Sequence, residues 1–165
     1  METTTLPAAR FRLGRWDLSE LLADSSDQSV AAHLGEVESL VEALESWRPL
    51  LAPTMPVEGL VAVLRATEEV TEKMWALGAY GSLWFSSDTQ STAALTYRNR
   101  VQQAFTGLQN RLIFLELWWK GLSDAEAERF YAGLEGFPDY GHYLRDQRRL
   151  KPHTLEERAE QIINL

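Results

Sequence analysis

The sequence predicts an all-α protein, an elongated antiparallel bundle of three long helices followed by two or three shorter C-terminal helices. Apolar residues recur at alternating spacings of three and four over long segments, which is the pattern of amphipathic helices. No segment of useful length shows the two-residue alternation of a strand. With 165 residues, of which 45% are hydrophobic, the chain is long enough for one domain with its own core.

Composition excludes several classes of function. The chain has no cysteine, which removes disulfides, thiolate nucleophiles and cysteine zinc sites. Its net charge of −8 disfavours nucleic acid as a partner. No apolar run approaches the length of a membrane span or forms a signal peptide, so we expect no membrane partner and a cytoplasmic location.

The N-terminus is expected to be a loose tail over residues 1–14, with the helical domain occupying residues 15–165. Asp17 is expected to cap a short turn that ends near Leu22, because its carboxylate can accept from free amide groups there. Glu20 occupies the capping-box position of that turn.

The three long helices are predicted over about residues 28–51, 57–85 and 92–120. Pro53 and Pro56 separate the first two, since proline lacks an amide hydrogen. The polar connection over 86–91 is short, which makes the second and third helices antiparallel neighbours. Gly78 and Gly81 on one face of the second helix predict close packing there.

Three further elements are predicted after the long helices. A short helix begins at Ser123 or Asp124 and ends near residue 134, and another covers about residues 140–150. Thr154 and Glu157 have the spacing of a capping box that opens a last helix. Its apolar repeat continues through Ile162, Ile163 and Leu165 without a cap, so we expect the chain to be cut here and these side chains to lack their natural cover.

No catalytic, cofactor-binding or metal-binding residue is predicted, since the sequence lacks His-Glu-x-x-His, Gly-x-Ser-x-Gly and a glycine-rich phosphate loop. His33 is interpreted as a surface or packing residue, and His142 as the local partner of Asp146 at i+4. His153 follows a proline, so it is either a structural corner with its imidazole bonded to a carbonyl or a contact to another part of a larger protein. The carboxylate pairs at 68–69 and 156–157 are interpreted as solvated faces.

Two other sets of residues were candidates for binding. The basic cluster Arg145, Arg148, Arg149 and Lys151 is interpreted as a solvated helix end that complements the helix dipole, with an anion or partner site as the alternative. The aromatic residues are expected to be mainly core, with some lining a groove; they are Trp84, Phe85, Phe114, Trp118, Trp119, Phe130, Tyr131, Tyr140 and Tyr143.

Three segments of the chain form an ordered set. They are Arg15-Trp16-Asp17-Leu18-Ser19-Glu20-Leu21, then Ala79-Tyr80-Gly81-Ser82-Leu83 followed by Asp88-Thr89, and finally His142-Tyr143-Leu144 leading through Arg148-Arg149 to Lys151-Pro152-His153-Thr154-Leu155. In order and spacing they resemble the N-terminal helical region of the oligoendopeptidase F-like zinc metallopeptidases. The resemblance extends from about residue 15 to the end of the chain.

This resemblance implies an N-terminal lobe that packs against a larger C-terminal catalytic domain. In such enzymes the catalytic domain carries the His-Glu-x-x-His zinc site, and both parts surround a channel that admits short peptides. No position here matches that motif, so the chain is expected to wall the channel without binding zinc or cleaving peptides. The alternative is a stand-alone helical interaction module, with dimerisation through the Trp118-Trp119 end. The oligomeric state stays open at this point.

Overall fold

A computed structural model of the chain describes residues 16–163, which form an all-α bundle as predicted. The predicted tail of residues 1–14 lies outside the described residues, as do Arg15 and Leu165. The long helices are α1 (Asp27–Glu45), α2 (Val57–Ser87) and α3 (Thr92–Gly121), and the shorter ones are α4 (Asp124–Gly133), α5 (Pro138–Arg149) and α6 (Glu157–Ile163). No helix among these is long and apolar enough to span a membrane.

The turn before α1 forms as predicted around Asp17. Its carboxylate accepts a hydrogen bond from the Ser19 amide at 3.0 Å, and Leu22 is buried at the end of the turn. Glu20 is exposed, and among residues 16–163 it makes no reciprocal capping bond. The single aspartate is therefore sufficient for this turn.

Helix α1 buries the predicted apolar stripe and ends earlier than predicted. Val37, Val41 and Leu44 are fully buried, and Ser26 caps the first turn by accepting from the Ser29 amide. The helix stops at Glu45, and a 3₁₀ turn over Arg48–Leu50 follows. Pro49 explains the difference, because its ring clashes with the carbonyl four residues earlier and it has no amide to donate.

Helices α2 and α3 pack closely and antiparallel, as predicted from their short connection. Gly81 lies against the ring of Tyr97, while Gly78 lies near Phe105 on the other helix. A Cβ atom built on Gly81 would lie only 2.8 Å from the Tyr97 ring. The missing side chain at Gly81 therefore sets the distance between the two longest helices.

Tyr97 also ties the two helices by a buried hydrogen bond. Its hydroxyl donates to the Leu77 carbonyl at 3.1 Å, and its ring makes an edge contact with Tyr80. Burial, with a smaller contribution from Tyr80, raises the pKa of Tyr97 to about 12. The phenol is thus held in its neutral, donating form.

Salt bridges join α1 to α3 across the bundle. Arg111 donates to both carboxylate oxygens of Glu45, at 2.6 and 2.9 Å, and to Glu38 at 3.2 Å. This bidentate contact lowers the pKa of the Glu45 carboxyl. The acidic face of α1 is therefore partly neutralised by a cation from the second half of the chain.

The last helix begins three residues later than the predicted capping box. The Thr154 hydroxyl donates to the Leu150 carbonyl at 3.0 Å, so it does not cap a helix, and α6 starts only at Glu157. Glu160, rather than Glu157, reaches back and accepts from the Leu155 amide at 2.7 Å. The preceding 3₁₀ turn offers Thr154 a nearer acceptor, which is why the sequence pattern misplaced the helix start.

We predict that Gly81→Ala destabilises the protein, because the added methyl group would force the Tyr97 ring or the α3 backbone to move. The expected loss in the free energy of unfolding is about 1–3 kcal/mol, typical of overpacking. Gly107→Ala is the matched control: it lies within α3 with no atom within 4 Å of the added Cβ, and it should gain up to about 1 kcal/mol. Urea unfolding checks both, and equal effects would contradict the close packing.

We further predict that stability falls at high pH through Tyr97. Its pKa is raised from 10.0 to about 12 in the folded protein, so its stabilising effect is complete below pH 10 and is lost as pH rises to 12. The loss is on the order of 2 kcal/mol. Tyr97→Phe removes this ionisation, so the stability difference between wild type and variant should shrink over that range. A constant difference from pH 9 to 12 would contradict the assignment.

Candidate functional site

The C-terminal end of α3 meets α4 and α5 around Trp119, which is buried. Its indole N–H donates to the Leu144 carbonyl of α5 at 2.9 Å. Its ring makes edge contacts with Phe130 and Tyr131 of α4, at centroid distances of 5.9 and 5.6 Å. Trp118 is partly buried beside them and contacts Phe130. This aromatic cluster belongs to the core, as predicted for most of the aromatic residues.

Two members of the basic cluster, the nearly buried Arg148 and the exposed Lys151, bond the end of α3. Arg148 donates to the carbonyls of Trp119 and Leu122, at 3.1 and 3.0 Å, and to the Asp124 carboxylate at 2.6 Å. Lys151 donates to the Leu122 carbonyl at 2.6 Å. The prediction of a solvated end was therefore wrong for Arg148, whereas Lys151 is exposed and also bonds a carbonyl of the neighbouring helix. They complement the C-terminal dipole of α3 rather than that of their own helix.

The other two basic residues make local contacts. The Arg145 guanidinium lies 4.2 Å from the centre of the Tyr131 ring, and Arg149 pairs with Asp146 at 2.8 Å. The Arg149 side chain is 78% exposed, whereas that of Arg148 is only 11% exposed. The four cations do not converge on one place, which disfavours the alternative of an anion site.

The three histidines lie on separate elements. His142 is 3.4 Å from Asp146, which confirms the predicted i+4 pair, and the half-exposed His33 is 3.8 Å from Glu36. His153 is exposed and its backbone amide donates to the Leu150 carbonyl at 2.9 Å. Its imidazole makes no hydrogen bond within the described part of the chain, so the predicted carbonyl bond is wrong. Among residues 16–163 no three His, Asp or Glu side chains are placed to hold a metal ion.

Exposed apolar side chains are concentrated after α5, and we call this set the corner surface. It consists of Leu150, Leu155, Ile162 and Ile163, the last two being 61% and 68% exposed. The expectation that these isoleucines lack cover is confirmed, while Leu165 is not described. The four residues are close in the sequence, and an exposed apolar patch formed by them would be typical of a surface that contacts another protein.

Helix α6 is fixed against α3, which orients the corner surface. Asn110 and Gln161 each donate a side-chain amide to the other residue's backbone carbonyl, at 3.3 and 3.2 Å. Arg48, at the end of α1, pairs with Glu157 at 2.5 Å and lies over the Phe114 ring. None of these contacts was predicted, because each joins residues far apart in the sequence.

Most of the predicted aromatic core is confirmed. Phe114, Trp119 and Phe130 are buried, and Tyr143 is the exception because it is about half exposed. Sequence reasoning missed Trp75, which is 68% exposed on α2. The sequence did carry a signal for this exposure, since Trp75 lies outside the apolar pattern of that helix.

The comparisons concern the same C-terminal region. Residues 118–165 match the family model for the N-terminal domain of peptidase M3, described as oligopeptidase F. The resemblance to the N-terminal lobe of the oligoendopeptidase F-like peptidases is confirmed. No curated protein and no solved structure matches the chain. The match covers under a third of the chain and includes the segment from His142 to Leu155, whereas the segments beginning at Arg15 and Ala79 precede it.

The oligopeptidase F segment, residues 118–165, comprises the last turn of α3 and the elements that follow it. It begins at Trp118, within the aromatic cluster, and contains α4, α5, the corner surface and α6. Arg148 lies inside the segment and bonds both its first residues and the turn after α3. Contacts within this segment therefore join its own residues to one another and to the end of α3.

We predict that Arg148→Ala destabilises the oligopeptidase F segment, because the Trp119 carbonyl and the Asp124 carboxylate lose this donor and the Leu122 carbonyl keeps only Lys151. Breaking charged hydrogen bonds of this kind costs about 1.5–3 kcal/mol in the free energy of unfolding. Arg149→Ala is the matched control, since Arg149 is one residue away and exposed, and it should change stability by less than about 0.5 kcal/mol. Thermal and urea unfolding distinguish the two, and an equal loss for both variants would contradict the capping role.

Proposed function

We propose that this chain is the N-terminal lobe of a zinc metalloendopeptidase that hydrolyses short peptides. In this proposal the lobe is non-catalytic and forms a wall of the substrate channel, and zinc belongs to a separate catalytic domain. The observation that carries the proposal is the match of residues 118–165 to the oligopeptidase F model. The chain has no His-Glu-x-x-His segment, which supports assigning the zinc site to that separate domain.

The histidines do not fit a zinc site of their own. A catalytic zinc needs three protein ligands that converge on one point, usually with two histidines one helical turn apart. His33, His142 and His153 lie on α1, on α5 and on the 3₁₀ turn between α5 and α6. The proposed chemistry therefore takes place on residues that this chain does not supply.

The architecture is suited to the role of a wall. Helices α2 and α3 are 31 and 30 residues long, so each spans about 45 Å at 1.5 Å per residue. They are held together by the Gly81 contact and by the buried Tyr97 hydrogen bond. A rigid pair of this length can restrict the width of a channel along its whole side, which would admit peptides and exclude folded proteins.

The corner surface is the part of the lobe that we propose contacts the catalytic domain. It lies in the oligopeptidase F segment, and its isoleucines are exposed on a helix whose opposite side is fixed to α3. Covering these side chains would be favourable, at about 25 cal/mol per Å² of apolar area removed from water. We also propose a cytoplasmic location, in keeping with a chain that has no cysteine.

No observation favours the alternative of a dimer joined through Trp118 and Trp119. Trp119 is buried, and its indole N–H is already bonded to Leu144. Trp118 packs against Trp119 and Phe130 within the same chain. The aromatic pair that suggested an exposed dimer contact is therefore mostly occupied by the core.

We predict that the purified chain does not cleave a quenched fluorescent peptide of eight residues, with or without added zinc. A zinc peptidase that contains the His-Glu-x-x-His helix serves as the positive control and should lose its activity when a chelator is added. Chelator-sensitive cleavage by this chain alone would contradict a non-catalytic lobe.

In the gene, the reading frame beyond Leu165 should continue into a His-Glu-x-x-His segment, and a stop codon directly after Leu165 would contradict the proposed parent enzyme.

A further inference from the structure

A groove of about 700 Å³ lies along α2 and α3 and is also bounded by α5 and α6. Its floor is mainly apolar and includes Leu64, Met74, Phe105 and Leu112. Most of its lining residues belong to α2 and α3, and Glu160 is its one lining residue from α6 among the described residues.

The length of the groove suits a helix. Its walls extend from Leu60 to Trp75 on α2 and from Phe105 to Trp119 on α3, which is about 21–22 Å at 1.5 Å per residue. A helix of that length has about 14 residues and, at a diameter of about 10 Å, a volume of about 1,600 Å³. The groove can therefore take the apolar face of such a helix but not the whole of it, as in helix-in-groove recognition.

The polar residues of the groove select for positive charge. Glu116 and Glu160 line it, and among its described lining residues there is no lysine or arginine. Glu116 already pairs with Lys120 of its own helix, so Glu160 is the lining carboxylate without a basic partner within residues 16–163. Glu72 is exposed one helical turn before Trp75, and Trp75 itself is a lining residue that is 68% exposed. Carboxylates beside an exposed indole form a favourable environment for ammonium and guanidinium groups.

We propose that this groove binds a basic amphipathic helix of a partner protein, with its apolar face on the floor and its lysine or arginine side chains beside Glu72, Trp75 and Glu160. Charge argues against a second copy of the chain as the occupant. Each copy has a net charge of −8, so two copies repel each other. A small uncharged ligand would leave the carboxylates and the exposed indole without a partner.

Fluorescence anisotropy with a synthetic helix tests the proposal. The probe is a labelled 14-residue peptide of leucine and lysine in amphipathic helical order, added to the full 165-residue chain. The two comparison peptides have glutamate in place of lysine, or the same leucines and lysines in an order without an apolar face. We expect the basic amphipathic peptide to bind at least about tenfold more tightly than either, and more weakly as salt is raised.

Two variants with matched controls locate the binding. Trp75→Ala should weaken binding of the basic peptide about fivefold or more, whereas Trp16→Ala, which removes a similarly exposed tryptophan that does not line the groove, should not. Glu72→Gln combined with Glu160→Gln should weaken it about 3- to 10-fold. Glu69→Gln combined with Glu128→Gln removes the same number of charges from exposed residues that do not line the groove, and it should not weaken binding. Glutamine at 160 keeps the acceptor for the Leu155 amide, so the fold is retained.

Three results would overturn the proposal. The first is equal affinity for the lysine and glutamate peptides. The second is an equal effect of the Glu69/Glu128 pair and of the Glu72/Glu160 pair, which would mean attraction to the net charge of the protein and not to the groove. The third is an unchanged Kd for Trp75→Ala together with self-association at micromolar concentration, which would assign the groove to a second copy. These experiments measure binding of a peptide to this chain and do not measure peptidase activity. Their result is therefore independent of the proposed function.

Discussion

The arrangement of the C-terminal third depends on Trp119. This residue lies at the end of α3, and α4 and α5 are both placed by a bond or contact to it or to its turn, whereas α6 is held by Asn110 and Arg48. Its indole N–H holds α5 through Leu144, its ring packs against α4 at Phe130, and its carbonyl accepts from Arg148. A buried indole N–H needs an acceptor, so this one bond fixes the distance of α5 from α3. The family match begins one residue before Trp119.

The sequence predicts most helices closely because their limits are set locally. Alternating spacings of three and four mark α2 and α3, and Ser123 with Glu126 forms the capping box that starts α4. The predicted end of α1 and the predicted start of α6 were wrong, and at both places two local signals compete. Pro49 acts on the turn before it and ends α1 early. Thr154 has a capping pattern, but the carbonyl of Leu150 in the preceding turn is a nearer acceptor for its hydroxyl.

The site was less predictable because its contacts join distant residues. His142 and Asp146 were identified because they are one helical turn apart. Arg148 and Lys151 instead bond the Leu122 carbonyl, 26 and 29 residues away in the sequence. A cluster of cations at a helix end has the same sequence signature whether it faces solvent or caps a neighbouring helix. Only the packing of α5 across the end of α3 distinguishes the two, and that packing follows from Trp119.

The same contacts determine which charges remain available to a partner. Arg148 and Lys151 donate hydrogen bonds to the carbonyls at the end of α3, and Arg111 forms salt bridges with the carboxylates of Glu38 and Glu45. These cations stabilise the fold, and their charge is directed inward or onto neighbouring helices. With a net charge of −8, the carboxylates that remain exposed outnumber the cations that remain free of such contacts. The negative net charge of the chain therefore favours approach of a positively charged segment before any apolar contact forms.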